Sequence, residues 1–348
     1  QEVVVPAFAG GARLMAAAGG DLSLHQHFPE GIEVEYRIRV GASVAWSTRF
    51  VHRPMPPGTW DPSGMQWRHA EAGGERGIPI EAGQSVRFET ELLSGADPGT
   101  IDHKLLRVGF GGASVVRTGR APRAIATPSA PNIVYIVMDT LRRDRVGCYG
   151  YDGQTTPHID RLAAGGLRFD DAYATSSWTW PSTASLLTGL LPDAHGVKSA
   201  QSCTLSQRLR TLPEALQERG YTTAAFVGNP IVEPNRYFDQ GFETFDVEVP
   251  VFRPSDEVVP PALEWLERHA PLRFFLYLHL VDPHTPHVPD PDQARRLGLG
   301  PPPPDWPEGG LDRVPYDVAP SPEVQAYANA LYDASVATGD HWVGEVIR

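Results

Sequence analysis

The chain has 348 residues, 41% hydrophobic and 21% charged, which is the composition of a folded protein and a length suited to two domains. A net charge of −12 argues against nucleic-acid binding, which needs a basic surface, but leaves a local pocket free to take an anion. Two cysteines, Cys148 and Cys203, are too few for a disulfide scaffold and read best as buried free thiols, although one bridge between them stays open. No apolar run reaches membrane-spanning length, and the sequence opens at Gln1 without a Met, as expected of a chain whose signal was removed or of a fragment.

Residues 24 to about 118 read as β structure. Ile32, Val34, Tyr36, Ile38 and Val40 alternate with charged residues, and Val86 and Phe88 repeat the pattern. Period-two alternation marks half-buried antiparallel strands. Gly and Pro punctuate the stretches between, as in Pro56-Pro57-Gly58 and Asp61-Pro62-Ser63-Gly64. The expectation is an all-β, sandwich-like domain over residues 1–120. A linker rich in Pro and small residues follows over 121–131.

From Asn132 the pattern changes. Ile133 to Met138 is a continuous apolar run, the mark of a strand buried on both faces. Helical patterns follow at 157–168, 182–190, 211–219 and 256–270, with strands at 221–227 and Phe274–Leu280 between them. Strands alternating with helices predict an α/β domain over 132–348 with a mostly parallel sheet. Residues 286–322 are Pro-rich and read as a surface loop, and one amphipathic helix runs from Pro322.

Three segments carry chemistry. Asp139 closes the first α/β strand, where open sheets bind ligands and where an acid suits a hard metal ion; alone, it reads equally well as a turn or cap residue. Thr179 sits in a hydroxyl-rich stretch ahead of Pro181, at a helix N-terminus that favours an anion. A metal-activated hydroxyl there is a nucleophile, though by spacing alone a plain N-cap is the commoner use of Thr. Finally, His279, Asp282, His284 and His287 cluster at the end of the third strand and suggest a metal or anion site, although each His also reads as a satisfied loop or core histidine.

These segments resemble the sulfatase family of the alkaline phosphatase superfamily. Asn132 to Asp144 is similar to the family's opening strand and first metal-ligand segment. Cys148-Tyr149-Gly150-Tyr151, Thr156-Pro157-His158, Leu187-Thr188-Gly189 with Pro192, His195-Gly196-Val197, Phe238-Asp239-Gln240-Gly241-Phe242 and Asp282-Pro283-His284-Thr285-Pro286 follow in family order. The resemblance implies an alkaline phosphatase-like fold and an exported, periplasmic or extracellular hydrolase of sulfate esters. It makes Asp139 and Thr179 metal ligands, Thr179 the nucleophile, and His284 and Asn229 contacts for the substrate. It also implies a divalent cofactor, Ca²⁺ first and Mg²⁺ or Mn²⁺ next, and an anionic ester partner such as a sulfated or phosphorylated glycan or lipid.

Departures from the family pattern keep other functions open. Thr179 stands where the family carries the Cys or Ser that becomes formylglycine, so no formylglycine is expected. Thr183 replaces the motif Arg, and Asn229 and Ile231 replace a Lys and a His. A Thr nucleophile with fewer cations fits a phosphodiesterase, a phosphonate hydrolase or a phosphoglycerol-type transferase. The same losses fit a non-catalytic relative that binds glycan or envelope material. The family's second metal-binding segment has no match before Arg348, so the domain is expected to be C-terminally incomplete. Residues 1–348 alone are expected to bind metal weakly, to lack turnover and to aggregate.

Overall fold

The computed structural model describes residues 2–4, 12–21, 32–52, 66–72, 75–94, 107–117, 123–199, 202–249, 251–308, 310 and 319–348. It divides into two compact units, Gln1–Pro122 with Thr204–Arg210 and Pro234–Phe238, and Arg123–Cys203 with Thr211–Glu233 and Asp239–Arg348.

The first unit holds β1 (Glu2–Val4), β2 (Ala12–Asp21), β3 (Ile32–Val40), β4 (Ser43–His52), β5 (Gln66–His69), β6 (Glu71–Ala72), β7 (Glu75–Arg76), β8 (Ile78–Ile80), β9 (Ser85–Ser94) and β10 (Arg107–Arg117). Every pairing among them is antiparallel. One sheet runs β1-β9-β3-β4, and a second runs β10-β2-β5 with β8 also on β2. Alternation works as read in β3, where Val34, Tyr36 and Ile38 are buried. Glu35 departs from it, being buried too, and the ion pairs with Arg37 and Arg49 compensate its charge. Strand structure begins well before residue 24, because β2 is written in Ala and Gly (Ala16 to Gly20) and shows no alternation. The Pro56–Gly58 and Asp61–Gly64 turns lie outside the described residues.

In the second unit β11 (Ile133–Met138), β12 (Thr222–Val227), β13 (Thr244–Val247) and β14 (Phe274–Leu280) form one parallel sheet in the order β11-β14-β12-β13. Its helices are α1 (Pro157–Gly165), α2 (Thr179–Thr188), α3 (Pro192–His195), α4 (Leu212–Gln217), α5 (Ser255–His269), α6 (Pro291–Arg296) and α7 (Pro322–Val346). The parallel sheet flanked by helices is the α/β architecture predicted from the alternating pattern.

Three local readings change. Residues of β12 and β14 are buried throughout, but β11 is half-buried with Val134 exposed, because it is an outer strand of the described sheet. The α2 helix starts at Thr179 rather than 182: Pro181 occupies the third helical position, whose N–H has no intrahelical partner to lose. The Pro-rich loop contains α6, started by Pro291 and capped by the Asp290 carboxylate, which accepts from the N–H groups of Asp292 and Gln293. The stretch read as a linker is held where it is described: Ala124 exchanges backbone hydrogen bonds with Gly220 and Arg273, and Arg123 pairs with Glu243.

Strand alternation divides β14 between two jobs. Leu276, Leu278 and Leu280 pack with Val258, Val259, Ala262 and Trp265 of α5 and Val343 of α7. Phe275, Tyr277 and His279 take the other face. The loops at the carboxyl ends of β11, β12 and β14 therefore gather at one mouth.

Gly228, directly after β12, has no room for a side chain. A Cβ there would lie 2.5 Å from the Arg253 carbonyl oxygen and 3.2 Å from that of His279. Gly228→Ala should cost roughly 1–3 kcal/mol, read as a lower thermal midpoint; an unchanged midpoint would show that the two loops can part.

Candidate active site

The first arm is the end of β11. The Asp139 N–H bonds to the Leu280 carbonyl at 2.8 Å, extending the β11–β14 pairing by one residue. The chain then turns through Thr140, which has φ of 61°, a left-handed conformation uncommon for a β-branched residue. Tyr332 of α7 braces this turn, donating to the Thr140 carbonyl at 2.7 Å and accepting from the Arg142 N–H at 2.8 Å. Strain held in place by tertiary bonds at a strand end is a mark of functional sites.

The second arm is the start of α2. Trp178 is the N-cap and makes no side-chain cap. Thr179 is the first helical residue, and its hydroxyl turns to Asp139 Oδ2 at 3.3 Å, long for an O–H···O bond. The plain N-cap reading is thus set aside. Two contacts fix the helix: Trp180 Nε1 donates to the Ile231 carbonyl at 2.6 Å, and Ser185 Oγ meets His195 Nε2 at 3.0 Å. Burial pushes the His195 imidazole below its ordinary pKa, which keeps the ring neutral for that contact.

The third and fourth arms close on the same carboxylate oxygen. Asn229 Nδ2 donates to Asp139 Oδ2 at 2.8 Å while its Oδ1 accepts from the Ile231 N–H at 3.2 Å. Both ends of the amide are thereby committed within the protein, so in this structure Asn229 holds the carboxylate. His279 Nε2 approaches the same oxygen at 3.3 Å. Burial opposes ionisation of Asp139, but the hydrogen bonds from His279 and then Asn229 outweigh it and bring its pKa to about 2.

The His-rich segment does four separate things. His279 lies within β14 rather than beyond it and is 1% exposed. Asp282 accepts from the backbone N–H and hydroxyl of Ser255, at the first turn of α5. His287 packs edge-on against Tyr332, 5.6 Å between centroids. His284 stacks on Phe252 at 5.0 Å, and its Nδ1 donates to the Thr285 carbonyl, which leaves Nε2 as the nitrogen able to face a ligand. A single metal or anion site made from all four is therefore corrected. Cys148 and Cys203 are free, and Cys148 is only half-buried.

The family model "Sulfatase" matches residues 131–348. The chain belongs to the sulfatase family. It is 45% identical over 106 residues to the human protein named arylsulfatase A, a match covering 29% of this chain and 20% of that one. It is 29% identical over 187 residues to N-acetylglucosamine-6-O-sulfatase of Bacteroides thetaiotaomicron, covering 49% of this chain and 33% of that one. A solved structure of a protein in complex with its substrate D-glucosamine-2-N,6-O-disulfate superposes with a TM-score of 0.51 at 20% identity, covering 63% of this chain and 61% of that one. The matched length is thus a fifth to a third of these curated relatives. Among the described residues no helix is long and apolar enough to cross a membrane.

Sulfatases are hydrolases of sulfate esters and depend on a metal. The donors of this member can be counted against that need. Asp139 and Thr179 come together and give one carboxylate and one hydroxyl. Ca²⁺ takes roughly six to eight oxygens, several of them carboxylates. Among the described residues no three His, Cys, Asp or Glu side chains stand together to hold an ion. The described donors therefore do not fit a complete divalent site.

Two measurements check this site. Calorimetric titration with Ca²⁺ should give a dissociation constant no tighter than about 10⁻⁴ M; micromolar affinity would show a full donor set. The second is acid unfolding. A carboxylate whose pKa is lowered by folding stabilises above its unfolded pKa and loses that contribution as pH falls through the folded value. Asp139→Asn should therefore destabilise at neutral pH, and the gap to the parent should shrink by on the order of 2 kcal/mol between about pH 5 and pH 2. A gap independent of pH would contradict the assignment.

Proposed function

We propose that this sulfatase hydrolyses sulfate esters with Thr179 as the nucleophile, acting on sulfated sugars as the names of its relatives suggest. One observation carries the reading: Thr179, the first residue of α2, turns its hydroxyl to the ionised Asp139. A helix N-terminus attracts the anionic ester, and the hydroxyl is held there with its lone pairs turned away from the carboxylate.

In the proposed reaction, Thr179 Oγ1 bonds to sulfur as the bond from sulfur to the alcohol oxygen breaks. The leaving oxygen takes a proton from His284, which regains one from solvent, and the Thr179 proton passes to solvent. Water then attacks the threonine sulfate, releasing sulfate and restoring the hydroxyl. Asp139, with a pKa of about 2, is too weak a base to take the Thr179 proton, so its part is orientation.

A second reading has its own motive. Thr183, in place of the motif Arg, is 1% exposed and brings no cation to the mouth, which favours a phosphodiester or phosphonate substrate. Assays with an aryl sulfate, a phosphodiester and a phosphonate monoester decide between the two. Assayed in the full-length protein, Thr179→Ala should lower the preferred rate by roughly 10³-fold or more, and Thr179→Ser should keep much of it. Faster phosphodiester cleavage would move the substrate class; rates indifferent to Thr179→Ala would remove the nucleophile, and no turnover of any of the three would favour a binding protein.

A further inference from the structure

On the face of β14 turned away from α5, the strand lines up Phe275, Tyr277 and His279, the last two 1% exposed. Aromatic neighbours fix the Tyr277 ring: Tyr135, beside it in register, meets it edge-on at 5.8 Å and 88°, and Phe242 lies at 6.1 Å. Its hydroxyl is 3.0 Å from His279 Nδ1, and the other ring nitrogen faces Asp139 Oδ2 at 3.3 Å. No sequence motif marks Tyr277 and His279 as a pair; they are two residues apart only because a strand repeats every second residue.

We infer that Tyr277 and His279 are positioning residues for the Asp139–Thr179 pair, with the Tyr277 hydroxyl holding the His279 ring as its Nε2–H form so that a rigid donor is aimed at Asp139. The inference rests on Thr179 as the nucleophile. The direction of each bond follows from what each group can do. An ionised carboxylate only accepts, so the hydrogen belongs on Nε2. Nδ1 of a neutral ring is then a lone pair, and the buried Tyr277 hydroxyl has a proton to place there. The reverse tautomer would set the Nε2 lone pair against the carboxylate. Burial drives the Tyr277 pKa upward, which keeps the phenol protonated as a donor.

Thr183, one turn beyond Thr179 on α2, is likewise buried. Outer partners of this kind typically change activity by roughly 10- to 100-fold when removed.

Long-range ¹⁵N–¹H NMR of the full chain with labelled histidine tests the inference, with His279→Gln identifying the resonances. The expected result is one neutral ring form at His279, protonated at Nε2, with the Nδ1 resonance of a hydrogen-bonded acceptor. Tyr277→Phe should move Nδ1 toward a free acceptor and let the second tautomer appear. In turnover by the full-length protein it should lower kcat by roughly 10-fold while leaving KM nearly unchanged. A ring protonated at Nδ1 in the parent chain, or resonances indifferent to Tyr277→Phe, would overturn the inference. The resonances are read without turnover, so they fail separately from the nucleophile: Thr179→Ala without effect on hydrolysis removes the nucleophile but leaves the tautomer result intact.

Discussion

One carboxylate oxygen organises the mouth of the sheet. Asp139 Oδ2 receives Asn229 at 2.8 Å and Thr179 and His279 at 3.3 Å each. A half-buried charge must find such partners or neutralise. Here they come from three separate elements: the start of α2, the loop after β12 and the central strand β14. Each partner is also held from behind, so the carboxylate is the point at which these elements register against one another.

The supporting contacts follow from that requirement. Trp180 ties α2 to the loop that carries Asn229, and Ser185 ties the middle of the helix to His195. Gly228 lets that loop pass against Arg253 and His279 where any side chain would collide. Tyr332 secures the left-handed turn at Thr140. None of these residues can touch a substrate at the carboxylate, yet loosening any one shifts a donor to Asp139. Hydrogen-bond networks of this kind are worth more whole than in parts.

The α/β domain was legible because its signals are long range in sequence and simple in pattern. A continuous apolar run marked β11, and both β11 and β14 were bounded to the residue. The short strand β13, four residues of mixed character, carries too little pattern to find. The Ala- and Gly-rich stretch of β2, Ala16 to Gly20, escaped for the same reason. At the site, the end of β11 and the Thr179–Pro181 segment marked two arms, since strand ends and helix N-termini advertise themselves. The other two were obscured. Asn229 looked like a lost cation rather than a donor to Asp139, because a sequence shows what a position lacks more readily than what it bonds. The four residues His279, Asp282, His284 and His287 read as one cluster, yet strand alternation and the turn beyond Leu280 send them to different partners.

The account stands on Thr179 being the atom that meets the reacting centre while Asp139 holds it. A crystal structure of the chain grown with orthovanadate, a mimic of in-line transfer, tests this most directly. The account predicts vanadium bonded to Thr179 Oγ1 at the N-terminus of α2, with Asp139 Oδ2 still bonded to Asn229 and His279. Vanadate bound elsewhere, or at the mouth with Thr179 Oγ1 out of bonding distance, would contradict it.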